Sequence, residues 1–454
     1  MKLFKHLCCL LLLTICLIAC KKTTKSDYET SVEGANVEKN AVTIATSFPK
    51  PNIGCKEVPE SWFSGNVPTP DPSSINKNST NCDFHLLSWQ YFLWLTEEVN
   101  GQLRFETMFT NKAITPEYKN DTYHVLDVVE QALSKGMLVD QNGRAVYSSI
   151  IIDSVFQNFV LKNKLYDRET MAAFDPNTGF PPGSLSLKTS WKIVQEGEDT
   201  SKLYTQKSDI ELLTMVDGQP RIDKDNPQIQ TDVEVALVGL HIAFVPDGHD
   251  EFVWATFEFD GNAPDFPENV GLNTPVSPKD WLLYAANTTA RDVNTDNAGI
   301  LKFADQSKQT LTPITQVARQ YKNGGGTPKN QTHIMNLNAS VKEQLTKNNS
   351  IWKNYFEVGA IWFNNPDLLK PNWNPNVVDS ILTGSLQLSN STIETFTQKI
   401  VSENECFSCH NTQAVTDVPP TLEMLGGKNI NLSHVLLKNY IEGTEAPPTK
   451  PENN

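Results

Sequence analysis

The apolar positions of this chain change their spacing from one region to the next. Residues 84–95 (FHLLSWQYFLWL) are apolar almost all round a helical turn, which predicts a helix buried in a core and capped by Asp83. Shorter helices are expected over residues 125–133 and 150–165. From residue 184 the period drops to two. Residues 184–194 alternate like a half-buried strand, and 233–245 (VEVALVGLHIAFV) and 251–259 (EFVWATFEF) predict two more, joined by the turn Pro246-Asp247-Gly248. With the segment near Leu203 and Tyr204 they suggest an antiparallel sheet. Residues 195–230 between them are polar and loop-like. A further helix is expected to start at Ser277-Pro278 and to contain Trp281 and Tyr284. Residues 323–328 (NGGGTP) predict a flexible loop, which lacks the Gly-Lys-Ser/Thr ending of a phosphate loop. Helical spacing resumes near 341–345, and buried strand-like residues fill 352–363.

Towards the C-terminus, Ser391 followed by Glu394 reads as a capping box. A helix from there would place Ile393, Phe396, Ile400 and Val401 on one face. A last helix is expected over 433–442. The pattern as a whole predicts an α+β fold: an antiparallel β-sheet core with surrounding helices, plus a small α-helical C-terminal segment docked on it.

The N-terminus adds a compartment. Lys2 and Lys5 precede an apolar run over residues 7–18, too short to span a bilayer comfortably. It ends in Leu17-Ile18-Ala19-Cys20, which resembles the lipobox of bacterial lipoproteins and implies lipid on Cys20. Lys21-Lys22 is not an inner-membrane retention aspartate, so the expected location is the outer membrane, facing the periplasm. The expected organisation is a signal peptide over 1–19, a polar tether over 20–50, a mixed α+β globular region over 51–385 and a C-terminal segment over 386–454.

Export makes the cysteines informative, because idle thiols are rare outside the cytoplasm. Of eight cysteines, Cys8, Cys9 and Cys16 leave with the signal and Cys20 carries lipid. Cys55 and Cys82 can close a disulfide around a proline-rich stretch, worth about 3 kcal/mol on chain-entropy grounds. Cys406 and Cys409 remain, in Cys406-Phe407-Ser408-Cys409-His410. This is C-x-x-C-H, the attachment signature of one covalent c-type haem: two thiols for thioethers, then a histidine for the iron. A zinc half-site and a dithiol redox pair share the spacing. Little chain follows His410, so the rest of a haem pocket is expected to come from the upstream helix and the large region. The sixth iron position has two candidates, Met424 as a thioether ligand and His434 as a second imidazole. His85 and His241 lie in strongly apolar runs and read as hydrogen-bonded core histidines.

Composition excludes some partners. The chain carries a formal charge of −15 and no basic patch interleaved with aromatics, which argues against nucleic acid. The Asp292–Asn297 run begins like a calcium loop, but Asn297 and Phe303 stand where glycine and a carboxylate are needed.

CFSCH, LSNSTIETF (388–396) and FVWATFEFDGNAP (252–264) together resemble a group of exported bacterial cytochrome c family proteins. Leu87 to Leu95, Lys188 with Trp191, and Gly239 with His241 match further stretches of that group. Where the group often has a histidine after Thr-Phe-Glu, this chain has Phe259, so no role of that histidine carries over. The resemblance implies haem binding and electron transfer with an unidentified redox partner protein in the envelope. A haem-dependent oxidoreductase or peroxidase with an open sixth position, and a binding module with a structural or sensory haem, are the alternatives.

Overall fold

The computed structural model describes residue 55 and residues 57–76, 78–375, 381–399 and 405–451. The expected signal and tether, with Cys20, lie outside these residues. The described residues fall in one compact unit. Among the described residues no helix is long and apolar enough to cross a membrane.

Helix α1 is Asn81–Leu95. Thr80 rather than Asp83 precedes it, and Asp83 Oδ2 accepts the Thr80 N–H at 2.8 Å, closing the first turn from inside. Its burial on nearly every side follows from what it packs against. Phe92 stacks on Phe257 at 4.4 Å, Trp89 meets the same ring edge-on at 5.0 Å, and Phe84 stacks on Trp362 at 4.2 Å. Each such ring removed from water is worth about 1.5–3 kcal/mol. Cys55 and Cys82 are joined by a disulfide that ties the entry segment to the first turn of α1.

The core is a nine-stranded mixed sheet. Its strands are β1 (Phe109–Thr110), β2 (Val125–Leu126), β3 (Tyr147–Ile152), β4 (Leu185–Ile193), β5 (Thr205–Glu211), β6 (Ile229–Phe244), β7 (Val253–Phe259), β8 (Tyr355–Phe363) and β9 (Leu382–Gly384). The order is β9-β8-β7-β6-β4-β3-β1, with β5 pairing the first half of β6. All pairs are antiparallel except β2 with β5. Alternation divides the side chains between two faces. Leu187, Leu240, Ile242 and Phe257 join the layer that contains α1 and α4 (Pro328–Lys347). Ile152, Ala243 and Ile361 join a second cluster with Phe407, Leu432 and Leu436 of the C-terminal segment. The sheet is therefore covered on both sides, the second cover combining Phe156, Val160 and Met171 with residues of the C-terminal segment.

Several expected elements are different. Residues 125–133 contain the short strand β2 and irregular pairing, Val128 bridging to Ser148. Residues 150–165 begin as β3, because the β-branched run Ile150-Ile151-Ile152 suits a pleated ladder. Helix α2 (Ser154–Lys162) starts only after Asp153, which accepts the Phe156 N–H at 2.9 Å. The 195–230 stretch holds β5 and a hairpin, Leu213–Val216 with Gln219–Ile222, turned at Asp217-Gly218. Both turn residues have positive φ, 49° and 78°, as an Asp-Gly hairpin turn requires. No helix forms from Ser277: Tyr284 Oη accepts the Ser277 N–H and donates to Thr288, and these local bonds compete with a helix ladder. The glycine loop is a tight corner, where a side chain on Gly324 would meet Ser385 Oγ at 2.2 Å.

The C-terminal segment is less helical than expected. Residues 391–399 form turns and a short 3-10 stretch, Thr397–Lys399; Ile400 and Val401 lie outside the described residues. The reason is tertiary. The Ser391 N–H donates to Glu258 Oε1 at 2.6 Å, and Asn390 Nδ2 donates to Thr256 Oγ1 at 2.7 Å, so the backbone follows the sheet surface. Gly239 permits this approach, since a Cβ there would lie 2.2 Å from Thr392 Oγ1. Helices α3 (Arg168–Ala173) and α5 (His434–Glu442) complete the α-helices, α5 being the one within the described C-terminal segment.

Candidate functional site

The Cys406–Ser408 stretch is one 3-10 turn. Glu405 starts it by accepting the Phe407 N–H at 2.6 Å, and the His410 N–H closes onto the Cys406 carbonyl at 2.9 Å. Phe407 is fully buried and anchors the turn, its ring 5.0 Å from Phe363 and edge-on to Trp373. With the apolar residue between the cysteines pinned to the core, Cys406, Cys409 and His410 line a cavity between the C-terminal segment and the sheet. Neither cysteine is in a disulfide.

The cavity measures about 370 Å³. A single water needs only about 10–15 Å³ of such space, and organic ligands occupy pockets of about 300–1,000 Å³. Its far wall is the sheet. Lys188 of β4 and His241 of β6 are cross-strand partners, and Trp254 of β7 stands two positions along and one strand over. Glu394 and Ser389 enter from the chain that crosses Gly239.

His410 is held at both faces. Its ring centroid is 3.9 Å from that of Trp254 and 3.8 Å from that of His434. Its Nδ1 lies 2.9 Å from the Leu432 carbonyl, where it can only donate, so the proton sits there and Nε2 carries the lone pair. Burial, with His434, His241 and Lys188 nearby, holds the imidazole well below the ordinary histidine range, hence neutral. Burial likewise pushes the Cys406 thiol well up, helped by Glu394 and Glu405. A protonated, buried thiol is a poor thiolate nucleophile.

Of the expected site residues, His434 lines the cavity, with Nε2 3.2 Å from the Cys409 carbonyl. Met424 does not: its side chain is 65% exposed, because the Val415–Leu425 bridge turns Leu425 inward in its place. His85 is a core histidine, fully buried between Glu357 Oε1 at 2.7 Å and Asn330 Oδ1 at 3.0 Å. His241 departs from that expectation and faces the cavity. Its Nε2 is 3.0 Å from Glu394 Oε2, an ion-pair distance without hydrogen-bond alignment. Burial alone would raise the Glu394 carboxyl, but His241, Lys188 and the Asn390 N–H hold it below the usual value.

Lys188, Trp254, Ser389 and Glu394 were not named as site residues from sequence. The available signal was polarity out of place: His241 interrupts the otherwise apolar run 235–245, and buried polar positions are the informative ones. Lys188 takes a polar place in an alternating strand and carries no such signal. Comparison with protein-family models, curated proteins and solved structures found no match.

Proposed function

We propose that this chain is an exported, lipid-anchored monohaem c-type cytochrome that passes single electrons to and from a partner in the envelope. Cys406 and Cys409 would carry the thioethers and His410 Nε2 would hold the iron. The observation that carries this reading is the junction of those three groups in one cavity, with His410 Nδ1 committed to the Leu432 carbonyl. When bound, the haem supplies a one-electron couple that the protein side chains lack. The chain's own part is to fix the His410 tautomer, to seat the ring between Trp254 and His434, and to anchor the turn through the buried Phe407. The remaining shell would come from the large region, since β4, β6 and β7 line the cavity. The His434 ring stacks on that of His410, so in this position it would support His410 as the ligand rather than act as a second one.

The test is expression of the full chain in a bacterium that matures c-type cytochromes. Haem that stays with the polypeptide on a denaturing gel and resists acid-acetone extraction is expected. Extractable haem, or none, overturns the reading, and Cys406→Ala with Cys409→Ala must abolish the covalent signal. His241 and Glu394 in the same cavity favour a second reading, a haem-dependent oxidoreductase with a proton-handling pair beside the iron. A spectrum shifted by cyanide supports it; a low-spin spectrum indifferent to cyanide and peroxide returns the carrier.

A further inference from the structure

One wall of the cavity carries more hydrogen-bond donors than the protein satisfies. Trp254 Nε1 and Ser389 Oγ are buried and have no hydrogen-bond partner among the described residues. An indole N–H can only donate. Lys188 lines the same cavity, where burial lowers the pKa of its ammonium while the nearby Glu394 carboxylate opposes that shift. A buried donor left unpaired costs about 1–3 kcal/mol, and an ammonium more. Two such groups beside a lysine in one cavity wall are a cost that an acceptor in the cavity would relieve.

Charge points the same way. Lys188 and Lys438 are the cavity's cationic side chains, against Glu394 and Glu405. Glu394 is already engaged, by the Asn390 N–H at 3.0 Å and by His241. Glu405 caps its own turn, and burial pushes its carboxyl up to about 7, which removes much of its charge near neutrality. The unmet demand is for an anionic acceptor.

We propose that Lys188, Trp254 and Ser389 form a binding corner for a carboxylate or small oxoanion. The shared chemistry has two sources. One is a propionate of the haem, in which case the corner rests on the cytochrome reading and orients the cofactor. The other is a free anion such as formate or nitrite, in which case the corner is a substrate or effector subsite.

The test uses the full chain purified from the envelope, whether coloured or not. Calorimetric titration with formate and with nitrite, with chloride as control, reads the free-anion source. Saturable binding that weakens about tenfold or more in Lys188→Met, as loss of a charge-assisted hydrogen bond implies, supports it. Trp254→Phe should weaken it less. The resonance Raman propionate bands of the coloured protein read the other source, and a shift in Lys188→Met and Ser389→Ala supports a bound propionate. Ser389→Ala leaves the strands intact and keeps the test decisive if Lys188→Met does not fold. Absence of anion binding together with unchanged propionate bands in both variants overturns the proposal. A colourless protein that still binds formate keeps the corner and overturns the haem reading alone; a colourless one that binds neither anion overturns both.

Discussion

His410 Nδ1 and the carbonyl oxygen of Leu432 lie 2.9 Å apart across 22 residues of chain. That single bond decides which ring nitrogen of His410 is available, and it exists only because the Asn429–Leu432 turn is buried against the sheet. If the chain carries haem as proposed, His410→Ala is expected to abolish the haem absorption spectrum, whereas His434→Ala should keep it with a small shift. The reverse pattern in absorption spectra of the two variants would make His434 the ligand.

Phe407 holds the C-x-x-C-H turn to the core. Phe407→Ala should cost about 3–5 kcal/mol, the usual range for removing a fully buried ring. Urea denaturation followed by tryptophan fluorescence measures this; a loss below about 1 kcal/mol would mean that the turn is held otherwise.

Gly239 is where residues 390–392 press against the sheet. Gly239→Ala puts a methyl 2.2 Å from Thr392 Oγ1, so the crossing chain must move. A destabilisation of about 1–3 kcal/mol is expected from overpacking. Limited proteolysis should cut first near residues 390–399, and an unchanged cleavage pattern would contradict the close approach.

Asp153 caps α2 in a buried place, and burial pushes its carboxyl up to about 6 against the donors Phe156 and Leu185. Its ordinary value is 3.8, so the folded state binds this proton more tightly than the unfolded state. The Asp153 contribution to stability is therefore full below about pH 4 and declines as pH rises to about 6. Asp153→Asn, an equally good cap, should flatten that part of the profile. Urea midpoints of both proteins from pH 4 to pH 7 check it, and parallel curves would refute the assignment.

Cys20 is tested in cells. Cys20→Ser should move the protein from the membrane fraction to the soluble envelope fraction or leave its signal uncleaved. Wild-type-like membrane retention with normal cleavage would exclude lipid on that sulfur.

What sequence alone determined follows from local physics. Period-two alternation produced β4, β6 and β7, and an all-round apolar run produced α1, because such patterns have few other ways to bury themselves. The C-x-x-C-H spacing and the cysteine pairing 55–82 are likewise local or compositional. Asp217-Gly218 is a hairpin signal too, set between two strands of only four residues each, Leu213–Val216 and Gln219–Ile222. What only the tertiary structure decided depends on surfaces meeting at long range. Ser391 and Glu394 have the letters of a capping box, yet Glu258 and His241 claim them, so no α-helix forms over 391–399. Met424 was the first candidate and His434 the second, and one strand-like bridge left the first in solvent while α5 began with the second in the cavity. Lys188, His241, Trp254, Ser389 and Glu394 are spread over some two hundred positions of sequence. They become neighbours only because antiparallel register aligns three strands and Gly239 lets a later stretch of chain lie flat across them.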